Sequence, residues 1–179
     1  MSISAEHGTW GYNKQQMATF NREYLRSTIF GIEDSLVSTT GLIAGLSVGA
    51  DSKDIVVLGA VVAIVIEAVS MAAGEYLSDD AIQEIDKLKR HRDKPIISGL
   101  LMFLSYLGAG FIPLLPVLFF EFPRSVWLSI LFALVGLFSL GYLKGTLVHT
   151  NALRGGLKIL IVGGLATTVG VIVGSLFKV

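Results

Sequence analysis

Cysteine is absent from this chain of 179 residues, which removes disulfides, thiolate metal sites and cysteine nucleophiles together. Charge is scarce as well. Only 16% of residues are Asp, Glu, Lys or Arg, and the two signs cancel to a net charge of zero, so the basic footprint that nucleic acid requires is missing. The three histidines, His7, His91 and His149, are too dispersed to make a metal site and read as solvated loop residues. The first 28 residues lack an apolar core, so no cleavable signal peptide is expected and the first apolar helix serves as the insertion signal. No Ser/His/Asp arrangement, phosphate-binding glycine loop or ATP motif appears, and neither does an internal repeat or a low-complexity tract. The chain is therefore not read as an enzyme, no permanently bound cofactor is expected, and any transport must run on an ion gradient or be passive.

What the sequence holds in quantity is apolar: 53% of it is hydrophobic. That composition describes an all-α polytopic membrane protein, not a soluble domain with a large core. A polar N-terminal segment, 1–28, precedes a transmembrane domain, 29–179. From Tyr12 onward that segment reads either as an interfacial helix with its aromatics dipping into the bilayer or as a partly disordered tail with a short helix. Five apolar runs follow: Ile29 to Ala50, Ile55 to Leu77, Ile96 to Phe120, Ser125 to Tyr142 and Leu157 to Phe177. Each is long enough to cross a bilayer as a helix. The second continues without a break signal into a charged connection at 78–95. Pro113 and Pro116 predict a kink or a loosened turn in the third, and Leu143 to Gly156 reads as a polar loop holding Lys144 and Arg154, whose side chains pair with lipid phosphate.

Lys and Arg set the orientation. The N-terminal segment, the 2–3 connection and the 4–5 loop hold three, five and three, eleven in all, against Lys53, Arg124 and Lys178 on the other side. This asymmetry places the N-terminus in the cytoplasm and the C-terminus outside. Five helices cannot be divided evenly by an inverted repeat, so a symmetric homodimer is expected to supply the missing partner surface.

The run Ile29 to Ala50 is the one on which function turns. It carries Glu33 and Asp34 near its start, and an acid inside lipid costs roughly 2.5–3.5 kcal/mol, which makes it a functional candidate by default. At helical spacing, Asp34 shares a face with Ser38, Gly41, Gly45 and Gly49. The doubled GxxxG pattern favours close helix packing in lipid, and it motivates a dimer with helix 1 at the two-fold axis. Glu33 either joins that face or sits at the interface and ends the helix; a rotation of about 100° decides between them.

A second constellation lies in helix 2, where Glu67, Met71 and Glu75 stand at i, i+4 and i+8 on one face. Glu67 is deep in the apolar run and needs a cation, a hydrogen-bond partner or a proton. Carboxylates with a thioether favour first-row ions such as Fe²⁺, Co²⁺ or Zn²⁺, although Met71 also reads as a packing residue that fills a gap between helices. In the 78–95 connection, Asp80, Glu84, Lys87 and His91 share a face, which reads as a solvated, salt-bridged helix; the alternative is a weak metal-collecting face made of Asp79, Asp80 and Glu84.

The stretch Arg26-Ser-Thr-Ile-Phe-Gly-Ile-Glu-Asp-Ser-Leu-Val-Ser-Thr-Thr-Gly-Leu-Ile-Ala-Gly-Leu46 and the string Ser70-Met-Ala-Ala-Gly-Glu-Tyr-Leu-Ser78 resemble the vacuolar iron transporter family. Pro113-Leu-Leu-Pro116 and Arg154-Gly-Gly156 extend the resemblance, which covers Arg26 to the end. It implies a five-helix homodimer in a membrane that exports Fe²⁺, with some Mn²⁺, Co²⁺ or Zn²⁺, from the cytosol in exchange for protons. It also implies that Asp34 and Met71 line the ion path at the dimer interface, with Glu75 near its cytoplasmic mouth. The membrane expected is the plasma membrane of a prokaryote. Two departures stand out. Ser35 replaces the glycine that usually follows the helix 1 Asp, and only 78–95 stands where well-studied members carry a long Glu-rich metal-collecting domain. The alternative reading is a non-transporting metal sensor or scaffold that keeps the fold without the pumping.

Overall fold

Nothing between Tyr12 and Phe30 interrupts a helix: that stretch has neither glycine nor proline. Accordingly, in the computed structural model the first helix does not wait for the apolar run but spans Glu6–Gly49 as α1. The structure describes residues 6–50, 52–85 and 94–178, with side chains described from Arg22 onward. The elements that follow are α2 (Lys53–Ile85), α3 (Pro95–Phe119), α4 (Arg124–Leu147) and α5 (Ala152–Leu176). All five carry a stretch long and apolar enough to cross a membrane, in α1 the segment Arg22–Gly49. The chain is an all-helical, multi-pass integral membrane protein. Lys87 and His91, and with them residues 86–93 of the expected 2–3 connection, lie outside the described residues, as does the side chain of His7.

α1 is the central helix and packs on all four others. Its inner face divides between two apolar clusters. Ile43 joins Val56, Ala60 and Ile64 of α2 and Leu114 and Val117 of α3, while Leu36 joins Ala109, Leu137 and Ile159. The outward faces of α2, α4 and α5 keep large aliphatic and aromatic side chains exposed, among them Leu58, Ile66, Trp127, Phe132, Ile161 and Leu165. In water such a surface would aggregate. In a bilayer it is the surface the lipid covers.

The glycines of α1 find their partner inside the chain. Gly41, Gly45 and Gly49 meet Ala166, Gly170 and Gly174 of α5 in parallel register, and a Cβ on Gly45 would lie 2.7 Å from the Gly170 carbonyl oxygen. The stripe expected to receive helix 1 of a second copy is thus in contact with α5 of the same chain. α5 carries a matching stripe of small residues at the same four-residue spacing, so two backbones of one chain close on each other first. A second glycine contact shortens the expected 4–5 loop to residues 148–151. A Cβ on Gly141 would lie 2.6 Å from the Gly155 carbonyl oxygen, so α4 and α5 approach closely enough for a tight hairpin. Asn151 caps α5 by accepting from the Arg154 amide at 3.1 Å.

α3 runs unbroken through Pro113 and Pro116, both buried, so the expected kink does not interrupt it. Ser129 of α4 donates its hydroxyl to the Pro113 carbonyl at 2.5 Å and ties α4 to this part of α3. At the same end, Lys53 of α2 donates to the carbonyls of Leu118 and Phe120, both at 3.1 Å. A cation there satisfies acceptors at the negative pole of α3.

Candidate functional site

Glu67, Met71 and Glu75 share one face of α2, and both ends of that stripe touch α1. Glu75 Oε1 accepts from the Ser27 hydroxyl at 2.5 Å and from the Arg26 guanidinium at 2.9 Å. Glu67 Oε2 accepts from the Ser38 hydroxyl at 3.0 Å. Met71, midway along the stripe and partly buried, therefore lies on the α1-facing side at the level of residues 32–34 of the antiparallel helix. Asp34 stands near that level on α1 and is half-buried. The structure thus ties Glu67 and Glu75 to α1 from one face of α2, about two turns apart, with Met71 between them on that face.

A third helix completes the polar cluster. Tyr106 of α3 is fully buried and donates its hydroxyl to Glu67 Oε2. The same hydroxyl lies 2.6 Å from Ser38 Oγ, and the Tyr106 carbonyl accepts from Ser35 Oγ at 2.6 Å. Glu67 consequently has partners from α1 and α3, which is what a carboxyl group in an apolar bundle requires. Tyr106 escaped the sequence reading. Its signal was available: a phenol in an otherwise apolar run needs a hydrogen-bond partner when buried. Ser35, which departs from the usual family glycine, uses its hydroxyl to tie α1 to α3.

The other candidates separate from this cluster. Glu33 turns toward α4 and pairs with Lys144 at 3.8 Å, the direction that one residue of helical rotation allows. Lys144, expected to face lipid phosphate, therefore has an acid beside it while staying about half exposed. Asp79 continues the α2 stripe by one more turn and is 8% exposed, with Oδ2 lacking a hydrogen-bond partner. Asp80 is half-buried and Glu84 is exposed. Among the described residues no three Asp, Glu or His side chains close around a common point. A groove of about 750 Å³ opens beside the cluster, lined by α1, α2 and α5, with Glu67 and Ser38 at its wall and the α1–α5 glycines along it.

The comparisons with known proteins concern this same five-helix body. The model of the VIT family matches residues 25–94 and 79–175. The protein named vacuolar iron transporter homolog 2 of Arabidopsis thaliana is 29% identical over 182 residues, covering 94% of this chain and 89% of that protein. Vacuolar iron transporter homolog 2 of Oryza sativa subsp. japonica is 27% identical over 173 residues, covering 87% and 91%. A third relative, vacuolar iron transporter homolog 4 of Arabidopsis thaliana, is 24% identical over 172 residues, 87% of each chain. Alignments that run nearly end to end leave little room in these relatives for a long domain between helices 2 and 3. The matched segments hold Asp34, Glu67, Met71 and Tyr106 and reach into all five helices, and the chain belongs to the VIT family of metal transporters.

Proposed function

We propose that the protein exports Fe²⁺ from the cytosol in exchange for protons, with Asp34, Glu67 and Met71 as the central station of the path. The observation that supports this reading is Glu67, a carboxyl group inside an apolar span that is tied to Ser38 of α1 and Tyr106 of α3, with Asp34 one helical turn before Ser38 on α1. Two anions so placed repel, and either a divalent cation or protons relieve the repulsion. One Fe²⁺ and two protons carry the same charge, so one can replace the other without leaving a net charge in low dielectric. Met71 adds a soft sulfur at the same level, which favours Fe²⁺ or Co²⁺ over Mn²⁺. Glu75, held by Arg26 and Ser27, is the station nearer the cytoplasmic mouth, and the Lys/Arg asymmetry puts that end in the cytosol.

A homodimer fits the same reading on a new ground. One chain offers two carboxylates and a thioether to an ion that takes more ligands. The groove beside Glu67 lies open along α1, α2 and α5. A second copy seated along that groove would add its own Asp34 and Glu67 and close the path from lipid. The test is Fe²⁺ flux into proteoliposomes with and without an imposed pH gradient. Flux that rises with an opposing proton gradient supports antiport. Binding of Fe²⁺ without any flux would instead support a sensor or scaffold.

A further inference from the structure

At the Arg22 end of the bundle, a cavity of about 880 Å³ opens between α1 and the α4–α5 turn. It is separate from the Glu67 groove, and the proposed transport does not use it. Its rim carries three cations, Arg22 and Arg26 from α1 and Lys144 from α4, with His149 of the turn beside them. Two acids offset part of that charge, Glu33 beside Lys144 and Glu75 beside Arg26, whereas Arg22 has no acidic partner among the described residues. The floor is apolar and open, with Leu25, Phe30, Leu147 and Val148 all more than two-fifths exposed. Leu147 ends the apolar span of α4 at this cavity, and Arg22, Arg26 and Lys144 gather beside it, so the cavity sits where headgroups meet acyl chains.

We propose that this cavity binds an anionic phospholipid, whose headgroup phosphate competes with Glu75 for Arg26. Cations at headgroup depth attract phosphate, and basic pockets between helices are suited to acidic headgroups. The apolar floor selects lipid over a soluble anion, because only an acyl chain covers Leu25, Phe30, Leu147 and Val148 while the phosphate meets Arg22 and Lys144. Arg26 is shared. It lines the cavity and also reaches Glu75 at 2.9 Å with its side chain 61% exposed, so a phosphate in the cavity draws on the same guanidinium.

Binding can be read without any transport assay, so its failure is distinct from failure of the antiporter reading. Purified, delipidated protein is titrated with dioleoyl phosphatidylglycerol or dioleoyl phosphatidylcholine and the one-to-one complexes are counted by native mass spectrometry. Wild type should prefer the anionic lipid, and Arg22→Gln with Lys144→Gln should lose about fivefold in that preference for each cation removed. The charge-keeping pair Arg22→Lys with Lys144→Arg should retain it, which controls for folding. Glu75→Gln should tighten phosphatidylglycerol binding by up to about fivefold, since it releases Arg26. Equal binding of the two lipids, a double glutamine variant that keeps the preference, or displacement of phosphatidylglycerol by millimolar inorganic phosphate would overturn the lipid site. Unchanged affinity in Glu75→Gln would overturn the competition for Arg26.

Discussion

Tyr106 donates its hydroxyl to Glu67, joining α3 to α2 in the middle of an apolar bundle, and Ser38 of α1 closes the triangle on both. Three helices thus converge on one carboxyl group. The phenol and the serine do for Glu67 what water does for an exposed acid: they give its oxygen hydrogen-bond donors.

Tyr106→Phe tests that arrangement. The substitution keeps the ring in its buried slot and removes only the oxygen, so packing is conserved while Glu67 loses one donor. A hydrogen bond to a charged group contributes about 1.5–3 kcal/mol. Thermal denaturation should show a stability loss within that range, with helical content unchanged by circular dichroism. Fe²⁺ flux should fall with it. A variant as stable and as active as wild type would mean the phenol is a packing residue.

The α1–α5 contact gives the second prediction. Gly45→Leu would drive a side chain into the Gly170 carbonyl, where even a Cβ sits at 2.7 Å. Backbone cannot yield as a flexible side chain does, so the penalty should reach or exceed the roughly 1–3 kcal/mol of ordinary overpacking. Loss of folded protein, seen as early aggregation on size-exclusion chromatography, is the expected outcome. A folded monomer would return the stripe to the role of an oligomeric contact.

The third concerns topology and exploits the absence of cysteine. Single cysteines at Ser78 and Ser52 can be labelled against a clean background, because the chain has none of its own. With intact cells, a membrane-impermeant maleimide should label Ser52→Cys and spare Ser78→Cys, as the Lys/Arg asymmetry requires. The reverse pattern would turn the molecule over and reverse the direction of export.

Much of this could be read in the sequence because the membrane simplifies the rules. Five apolar runs could only be helices. The four-residue spacing of Glu67, Met71 and Glu75 fixed their common face, and both outer members of the set now bond to α1. What escaped the sequence was the identity of partners. The Gly41–Gly45–Gly49 stripe announces a close neighbour but not which one, and α5 carries the complementary stripe 125 residues further on. Adjacent acids behave alike in sequence, yet Glu33 turns to Lys144 while Asp34 stands one step of helix rotation away from it. Tyr106 was legible in principle and was passed over because it stands alone in α3, with its partners on two other helices.

The last prediction separates the roles within the cluster. Asp34→Asn keeps the shape of the side chain and removes its charge. Two unit charges about 4 Å apart at an effective dielectric constant near 20 interact by roughly 4 kcal/mol, so losing one anion beside Fe²⁺ should lower flux by at least about a hundredfold. Met71→Leu keeps volume and removes sulfur alone; it should reduce Fe²⁺ and Co²⁺ flux several-fold, within the roughly 1–2 kcal/mol expected of one soft donor, and spare Mn²⁺. Glu67→Gln leaves Ser38 and Tyr106 a polar partner, so the fold should hold, but it removes a site for exchangeable protons and should flatten the response of flux to the pH gradient. The measurement is initial-rate uptake of each ion into proteoliposomes at matched protein density, with and without a gradient. Each variant fails differently if the assignment is right. Full Fe²⁺ transport by Asp34→Asn would remove Asp34 from the path, and equal losses for all three ions in Met71→Leu would reduce Met71 to packing.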